Sequence, residues 1–184
     1  MAYAGRLKRM FDVALSVPGL LVALPVIAVA MVAVRVTSPG RIVFAQERVG
    51  KSEAPFLCYK LRTMHEHTPD VPTHEVGADA VTPVGRVLRR FKIDELPQLW
   101  NVVKGEMSLV GPRPCLPRQA ELIAHRRAEG VFALRPGITG LAQVRDIDMS
   151  RPQLCAQTDG EYMHRITLAR DVEILFRTVF RGRL

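Results

Sequence analysis

At 184 residues, 48% of them apolar, the chain is long enough for one domain with a real core, or for a small domain plus a membrane element. Its net charge of +8 favours an anionic partner: nucleic acid, a nucleotide or an acidic membrane surface. The three cysteines, Cys58, Cys115 and Cys155, are odd in number, far apart and without Cys-x-x-Cys spacing, which argues against a disulfide framework or a zinc site and suits a reducing, cytosolic setting.

Val13 to Val34 carries no charge, and as a straight helix these 22 positions reach roughly 33 Å, enough to cross a bilayer. The run is too long for a cleavable signal peptide, and no small-residue cleavage pattern follows it. Basic residues flank both ends, Arg6, Lys8 and Arg9 before and Arg35, Arg41, Arg48 and Lys51 after, so both ends read as cytoplasmic. Pro25 removes a backbone donor and crowds the carbonyl of Leu21, and Pro18-Gly19 adds a second weak point. The expected element is a broken, re-entrant helix with its membrane bend at Pro25; a kinked single span is the alternative.

Arg41 to Gly50 reads as a short strand ending in a turn. Phe56 to Met64 follows, with Lys60 and Arg62 on one face if extended, where two cations can grip a phosphate or simply be solvated. His65 to Thr82, with His65, His67 and His74, two prolines and no apolar period, reads as a loop without a metal. Val84, Val87, Leu88 and Phe91 then form a helical apolar stripe among Arg86, Arg89, Arg90 and Lys92, a basic amphipathic helix for a membrane interface or a soluble core.

Asp94 and Glu95 come next, ahead of Leu96, Leu99, Trp100 and Val103 at helical spacing, with Pro97 suited to a first turn. Carboxylates at a helix N-terminus stay ionised and usually serve only as caps. Arg113 lies between Pro112 and Pro114 on a stiff mount, and Pro136-Gly137 has the order of a type II turn; both stretches read as constrained loops. Near the end, Val172, Leu175, Phe176, Val179 and Phe180 form another apolar stripe among arginines, which suggests a second interfacial helix.

Lys60-Leu61-Arg62-Thr63-Met64, Asp94-Glu95-Leu96-Pro97-Gln98-Leu99-Trp100-Asn101-Val102, Met107 to Pro114 and Arg135 to Val144, in this order, resemble the bacterial sugar transferase family. More narrowly, the chain is similar to the small monotopic polyprenyl-phosphate phosphoglycosyl transferases that start O-antigen, capsule and glycoprotein glycans. The resemblance covers essentially the whole chain and implies the minimal catalytic form. It implies a UDP-sugar donor, undecaprenyl phosphate as acceptor, release of UMP, and Mg²⁺ as cofactor. Asp94 matches the nucleophile and Glu95 the acidic partner associated with the metal. Arg89 and Arg113 match phosphate-holding arginines, with Lys60 and Arg62 beside them, and Asp171 matches a residue that orients an active-site cation. Asp159, Tyr162, Ile174 and Thr178 also resemble family positions.

Two departures stand out. Leu24 replaces the serine often found before the central proline, so the freed carbonyl loses a partner. Where many members read Asn-Gly-Arg after Gln143-Val144, this chain has Arg145-Asp146-Ile147-Asp148-Met149, which leaves Arg145 as a candidate for sugar or base recognition and the sugar undecided.

The expected fold is α+β and mostly helical: residues 1–39 a membrane-inserted re-entrant helix, residues 40–184 a cytosolic and interfacial catalytic domain with short strands between Arg41 and Leu61. The expected place is the bacterial inner membrane, with the catalytic part facing the cytoplasm, touching phospholipid and no nucleic acid; a homodimer is left open. The competing classes are a non-catalytic scaffold of a glycan assembly complex and a basic nucleic-acid-binding domain, the latter poorly served by three Tyr and one Trp.

Overall fold

The computed structural model describes residues 3–65, 68 and 80–180. After a lead-in turn at Tyr3–Leu7, helix α1 runs from Lys8 to Thr37. It ends where Ser38 turns extended while its N–H still bonds the Val34 carbonyl. The expected break is not an interruption: Pro18 and Pro25 both lie inside the helix. Each proline removes one rung of the ladder, and the rungs on either side hold the helix together.

Lys8, Asp12, Ser16, Ala23, Ala30 and Val34 are the buried residues of α1, spaced in steps of four and seven and so on one face. The rest is largely open; Val22, Val29 and Val36 are each more than 70% exposed. This helix is long and apolar enough to cross a membrane. Yet its buried face is fastened at both ends to the same body.

At the start of α1, Lys8 Nζ lies 2.6 Å from Asp171 on α7 (Leu168–Phe180) and 3.8 Å from Asp12. Tyr3 and Tyr162 hydroxyls donate to the two Asp171 oxygens at 2.9 and 2.6 Å. Asp12 accepts from the Ser108 hydroxyl at 2.8 Å and from the Leu109 N–H at 3.2 Å. At the other end, Ala30 and Val34 pack with Leu61 and Leu88, and Arg62 donates to the carbonyls of Ser38, at 2.7 Å, and Pro39. Asp171→Ala leaves the Lys8 ammonium buried with only Asp12 at 3.8 Å, and removing one partner of a buried pair costs about 3–5 kcal/mol. The expected result is a clear drop in melting temperature of the detergent-solubilised protein; an unchanged melt would show that the hub does not hold α1.

The strands expected near Arg41 to Leu61 are present. β1 (Val43–Val49) and β2 (Pro55–Leu61) pair antiparallel, with Phe44 opposite Lys60 and Gln46 opposite Cys58. Buried Asn101 on α3 (Gln98–Lys104) stitches β2 down, accepting from the Tyr59 N–H at 3.1 Å and donating to the Leu57 carbonyl at 2.7 Å. Between them comes α2 (Pro83–Arg90), capped by the Thr82 hydroxyl, which accepts from the Gly85 N–H at 2.9 Å. The apolar stripe of α2 divides: Val84 and Leu88 pack on α1, whereas Val87 and Phe91 stand 54% and 65% exposed. The calls on His67 and His74 lie outside the described residues; His65 donates its N–H to the Ala80 carbonyl at 3.0 Å.

The second half contains a feature the sequence reading took for loops. Ser108–Val110 (β3) and Gly137–Thr139 (β4) pair as parallel strands. Gly137 is not the left-handed residue of a type II turn; among the described glycines, φ is positive at 40, 105 and 130 and not at 137. It is glycine because backbone meets backbone there: a Cβ on Gly137 would stand 2.1 Å from the Gly111 nitrogen, and one on Gly140 2.1 Å from the Gly111 oxygen. Helices α4 (Ala120–Ala128), α5 (Leu141–Val144) and α6 (Pro152–His164) pack on one another, with Leu122, Ala142, Cys155 and Ala156 in one buried cluster. On α7, Asp171 and Ile174 face inward, while Val172, Phe176 and Val179 stand exposed. The fold is therefore the mostly helical α+β arrangement expected, with few short strands.

Candidate active site

An open cleft of about 1350 Å³ runs from the β1–β2 hairpin past Asp94 and Glu95 to Thr139, Gln143 and the end of α7. Arg41, Arg48, Lys60, Arg89, Arg90, Lys92 and Arg113 also line it, so the two acids are heavily outnumbered by cations. The acids do not sit in the first turn of α3. They occupy their own 3₁₀ turn, Ile93–Glu95, entered through Lys92 in the left-handed region (φ 55°), with Pro97 still ahead of the helix. Side chains across the cleft decide the ionisation of Glu95, and burial that of Asp94.

Glu95 is held on one oxygen, Oε1, by Lys60 at 2.7 Å and by Arg113 at 3.4 Å. Burial alone would raise its carboxyl, but Lys60 and then Arg113 override it and bring the pKa down to about 2. Asp94 is 8% exposed, and among the described residues no cation lies within ion-pair reach of it. Burial, with the Glu95 charge next door, pushes the Asp94 carboxyl up, against the pull of Lys60 and Arg89. Adjacent acids with opposite shifts suit different jobs.

Arg113 rests on a loop whose three neighbouring carbonyls are each held. Pro112 O accepts from the Gly137 N–H at 2.8 Å, Arg113 O from Arg126 at 2.8 Å, and Pro114 O from Arg48 at 3.0 Å. Arg89 lines the cleft with its Nε bonded to the Thr63 hydroxyl at 2.8 Å. The structure thus brings Asp94, Glu95, Lys60, Arg89 and Arg113 together.

Three expected site residues are employed elsewhere. Arg62 borders the cleft, but its guanidinium clamps the end of α1. Asp171 is fully buried in the hub with Lys8, Tyr3 and Tyr162 and does not line the cleft. Arg145 forms a two-pronged bridge to Glu161, at 2.5 and 3.1 Å, because the turn after Val144 carries it toward α6. Pro25 lies in α1, outside the cleft. Sequence reading missed Arg126, whose partners are distant in the chain, and gave Phe44, Gln46 and Gln143 no part in the cleft they line.

Among the described residues no three His, Cys, Asp or Glu side chains gather into a protein-only metal cage. Mg²⁺ does not need one, since one or two carboxylates with substrate phosphates and water suffice. Both cations on Glu95 hold the same oxygen, so Oε2 remains for a metal, and the residues fit that ion.

A broad cationic cleft around a carboxylate with no ion pair among the described residues, set against a long apolar helix, suits a phosphate-handling transferase. Residues 3–182 match the family model of the bacterial sugar transferases, and the chain belongs to that family. It is similar to the UDP-glucose:undecaprenyl-phosphate glucose-1-phosphate transferase of Caulobacter vibrioides, 44% identical over 94% of this chain and 68% of the relative. It is 37% identical to the Escherichia coli K12 protein of the same description, over 96% of this chain and 40% of the relative. A UDP-N-acetylgalactosamine-undecaprenyl-phosphate N-acetylgalactosaminephosphotransferase of Aeromonas hydrophila is 36% identical over 94% of this chain and 43% of the relative. The chain therefore spans less than half the length of the latter two.

Proposed function

We propose that this protein moves a sugar 1-phosphate from a UDP-sugar to undecaprenyl phosphate in two displacements at Asp94. The observation that carries the reading is the contrast between Asp94, which has no ion pair among the described residues, and the doubly held Glu95. An Asp94 oxygen attacks the sugar-linked phosphorus; the bond to the UMP oxygen breaks, and UMP leaves with its electron pair. An undecaprenyl phosphate oxygen then attacks the same phosphorus, the acyl phosphate bond breaks, and Asp94 returns as a carboxylate. A covalent intermediate divides one difficult transfer into two.

Arg113 and Arg89 hold phosphate oxygens through their fork-shaped donors. Lys60 keeps Glu95 ionised and lowers the charge the incoming diphosphate meets. Glu95, through Oε2, would hold Mg²⁺, which would neutralise diphosphate charge and stabilise departing UMP. The relatives are named for different sugars, so the sugar is set by residues beyond this shared chemistry.

Membrane placement follows the same reading. The two ends of α1 are fastened to one body, and the exposed face between them is apolar, which supports a helix that enters and leaves one side of the bacterial inner membrane, with the cleft toward the cytoplasm. Pro25, like Pro18, removes one rung of the ladder, and a bend keeping both ends at one surface would fall there. Exposed Phe91 and Val179 also line the cleft, which suits α2 and α7 as interfacial helices that let a long-chain acceptor react without leaving the bilayer.

The direct test is UMP release by detergent-purified protein with Mg²⁺ and a panel of UDP-sugars, each with and without undecaprenyl phosphate. Selection of one sugar is expected, with at most one equivalent of UMP released without acceptor and turnover only with it; no release with any sugar from folded protein would overturn the reading. The pH profile adds a second test. Asp94 attacks only as a carboxylate, so the acid limb of the rate follows its raised pKa, above the usual 3.8. Lys60 favours the charged form, so Lys60→Ala should move that limb to higher pH as well as lowering the rate. A limb that stays put would remove Lys60 from the electrostatics of Asp94.

A further inference from the structure

Arg126 is one of the largest side chains wholly enclosed by this protein, 2% exposed, and it sits on α4 away from the cleft lining. Its guanidinium is divided between two tasks. Nε and Nη2 donate to the same Asp159 oxygen on α6, at 3.0 and 2.7 Å. Nη1 donates to the backbone carbonyl of Arg113 at 2.8 Å. A buried guanidinium with a buried carboxylate is a costly way to join two helices, since well-packed apolar residues commonly do it as well or better. What apolar residues cannot do is bond a carbonyl.

The Arg113 loop has no regular secondary structure of its own, and its prolines cannot donate to neighbours. Its position is set from outside, by the Gly137 N–H on one side, Arg48 on the other and Arg126 beneath its centre. Of these three, Arg126 bonds the residue whose own side chain reaches Glu95. Asp159 holds the guanidinium fork so that its third donor meets that carbonyl.

We propose that Arg126 is a positioning residue: braced by Asp159, it fixes the Arg113 backbone and so sets where the Arg113 guanidinium meets phosphate and Glu95. It acts only through Arg113. The proposal rests on the phosphate-holding role given above to Arg113, and the test separates the two.

UMP release is measured for Arg113→Ala, for the paired change Arg126→Met with Asp159→Leu, and for all three together, with melting temperature alongside. The paired change replaces the ion pair with apolar volume and leaves no buried lone charge. Arg113→Ala should lose about 100-fold in rate. The paired change should lose about 10- to 100-fold in the native background, as misplacement of a binding group does, and no more than about twofold further in the Arg113→Ala background. Arg126→Lys keeps a buried cation beside Asp159 and a donor for the carbonyl, so it should fold even if the apolar pair does not, and recover part of the rate. Losses that multiply, or a paired variant as fast as the native protein at lowered stability, would mean that Arg126 only holds α4 to α6 and would overturn the proposal. Full activity of Arg113→Ala would instead overturn the role of Arg113 itself, and the proposal with it.

Discussion

Asp94→Asn should release no UMP above background, a loss of at least ~10³-fold, while melting like the native protein. The amide keeps the shape of the side chain and removes its nucleophilic charge. Glu95 cannot take over, because Lys60 and Arg113 hold its Oε1 and depress its basicity. Fold should survive, since no ion pair to a described residue is lost and a buried carboxylate raised by desolvation becomes neutral. Intact mass carries the second readout. Native protein given its UDP-sugar without acceptor should gain the mass of one phosphosugar, and the variant none. Undiminished UMP release from Asp94→Asn would sink the two-displacement reading, whatever the fate of the membrane assignment.

The second large effect concerns folding. Gly137→Ala places a methyl 2.1 Å from the Gly111 nitrogen and 2.4 Å from the Thr139 oxygen, both backbone atoms that cannot rotate away. Parallel β3 and β4 must part to admit it. Overpacking a well-filled interior costs about 1–3 kcal/mol even where side chains can adjust, so a backbone clash belongs at or beyond the top of that range. A fall of roughly 10 °C in melting temperature is expected, at about 2–4 °C per kcal/mol for a chain of this size. The control is Gly19→Ala in α1, where the nearest atom is Leu99 Cδ1 at 4.0 Å and the melt should hold or rise slightly. Equal melts for the two would show that the joint yields more readily than its geometry implies.

What the sequence disclosed was whatever depended on neighbours in the chain. The period of α2 and α7, the short strands between Arg41 and Leu61 and the Asp94-Glu95 pair are local patterns, and each has its counterpart in the structure. Even there the pattern did not say which half of a stripe faces inward; Leu88 and Phe91 share one stripe and end on opposite sides. The rest hinged on long-range pairings. Asp171 was matched by resemblance to a residue that orients an active-site cation, and its partner in the structure, Lys8, is 163 residues away. Arg62 looked like a phosphate ligand because nothing nearby announced the carbonyls of Ser38 and Pro39. Gly137 looked like a turn residue because the backbone it touches comes from Gly111.

That joint of bare backbone has a consequence for how such a protein can diversify. It ties the strand leading to Arg113 to the strand carrying Ile138 and Thr139, with no side chain in between. Ile138, Thr139, Gln143 and Val144 are neutral, whereas the cations of the cleft stand on the hairpin, α2 and the Arg113 loop. The neutral wall can therefore be rewritten residue by residue, provided its glycines stay, without shifting the cationic side. The two sides of the cleft become separately tunable, as in a tool with a fixed handle and interchangeable jaws.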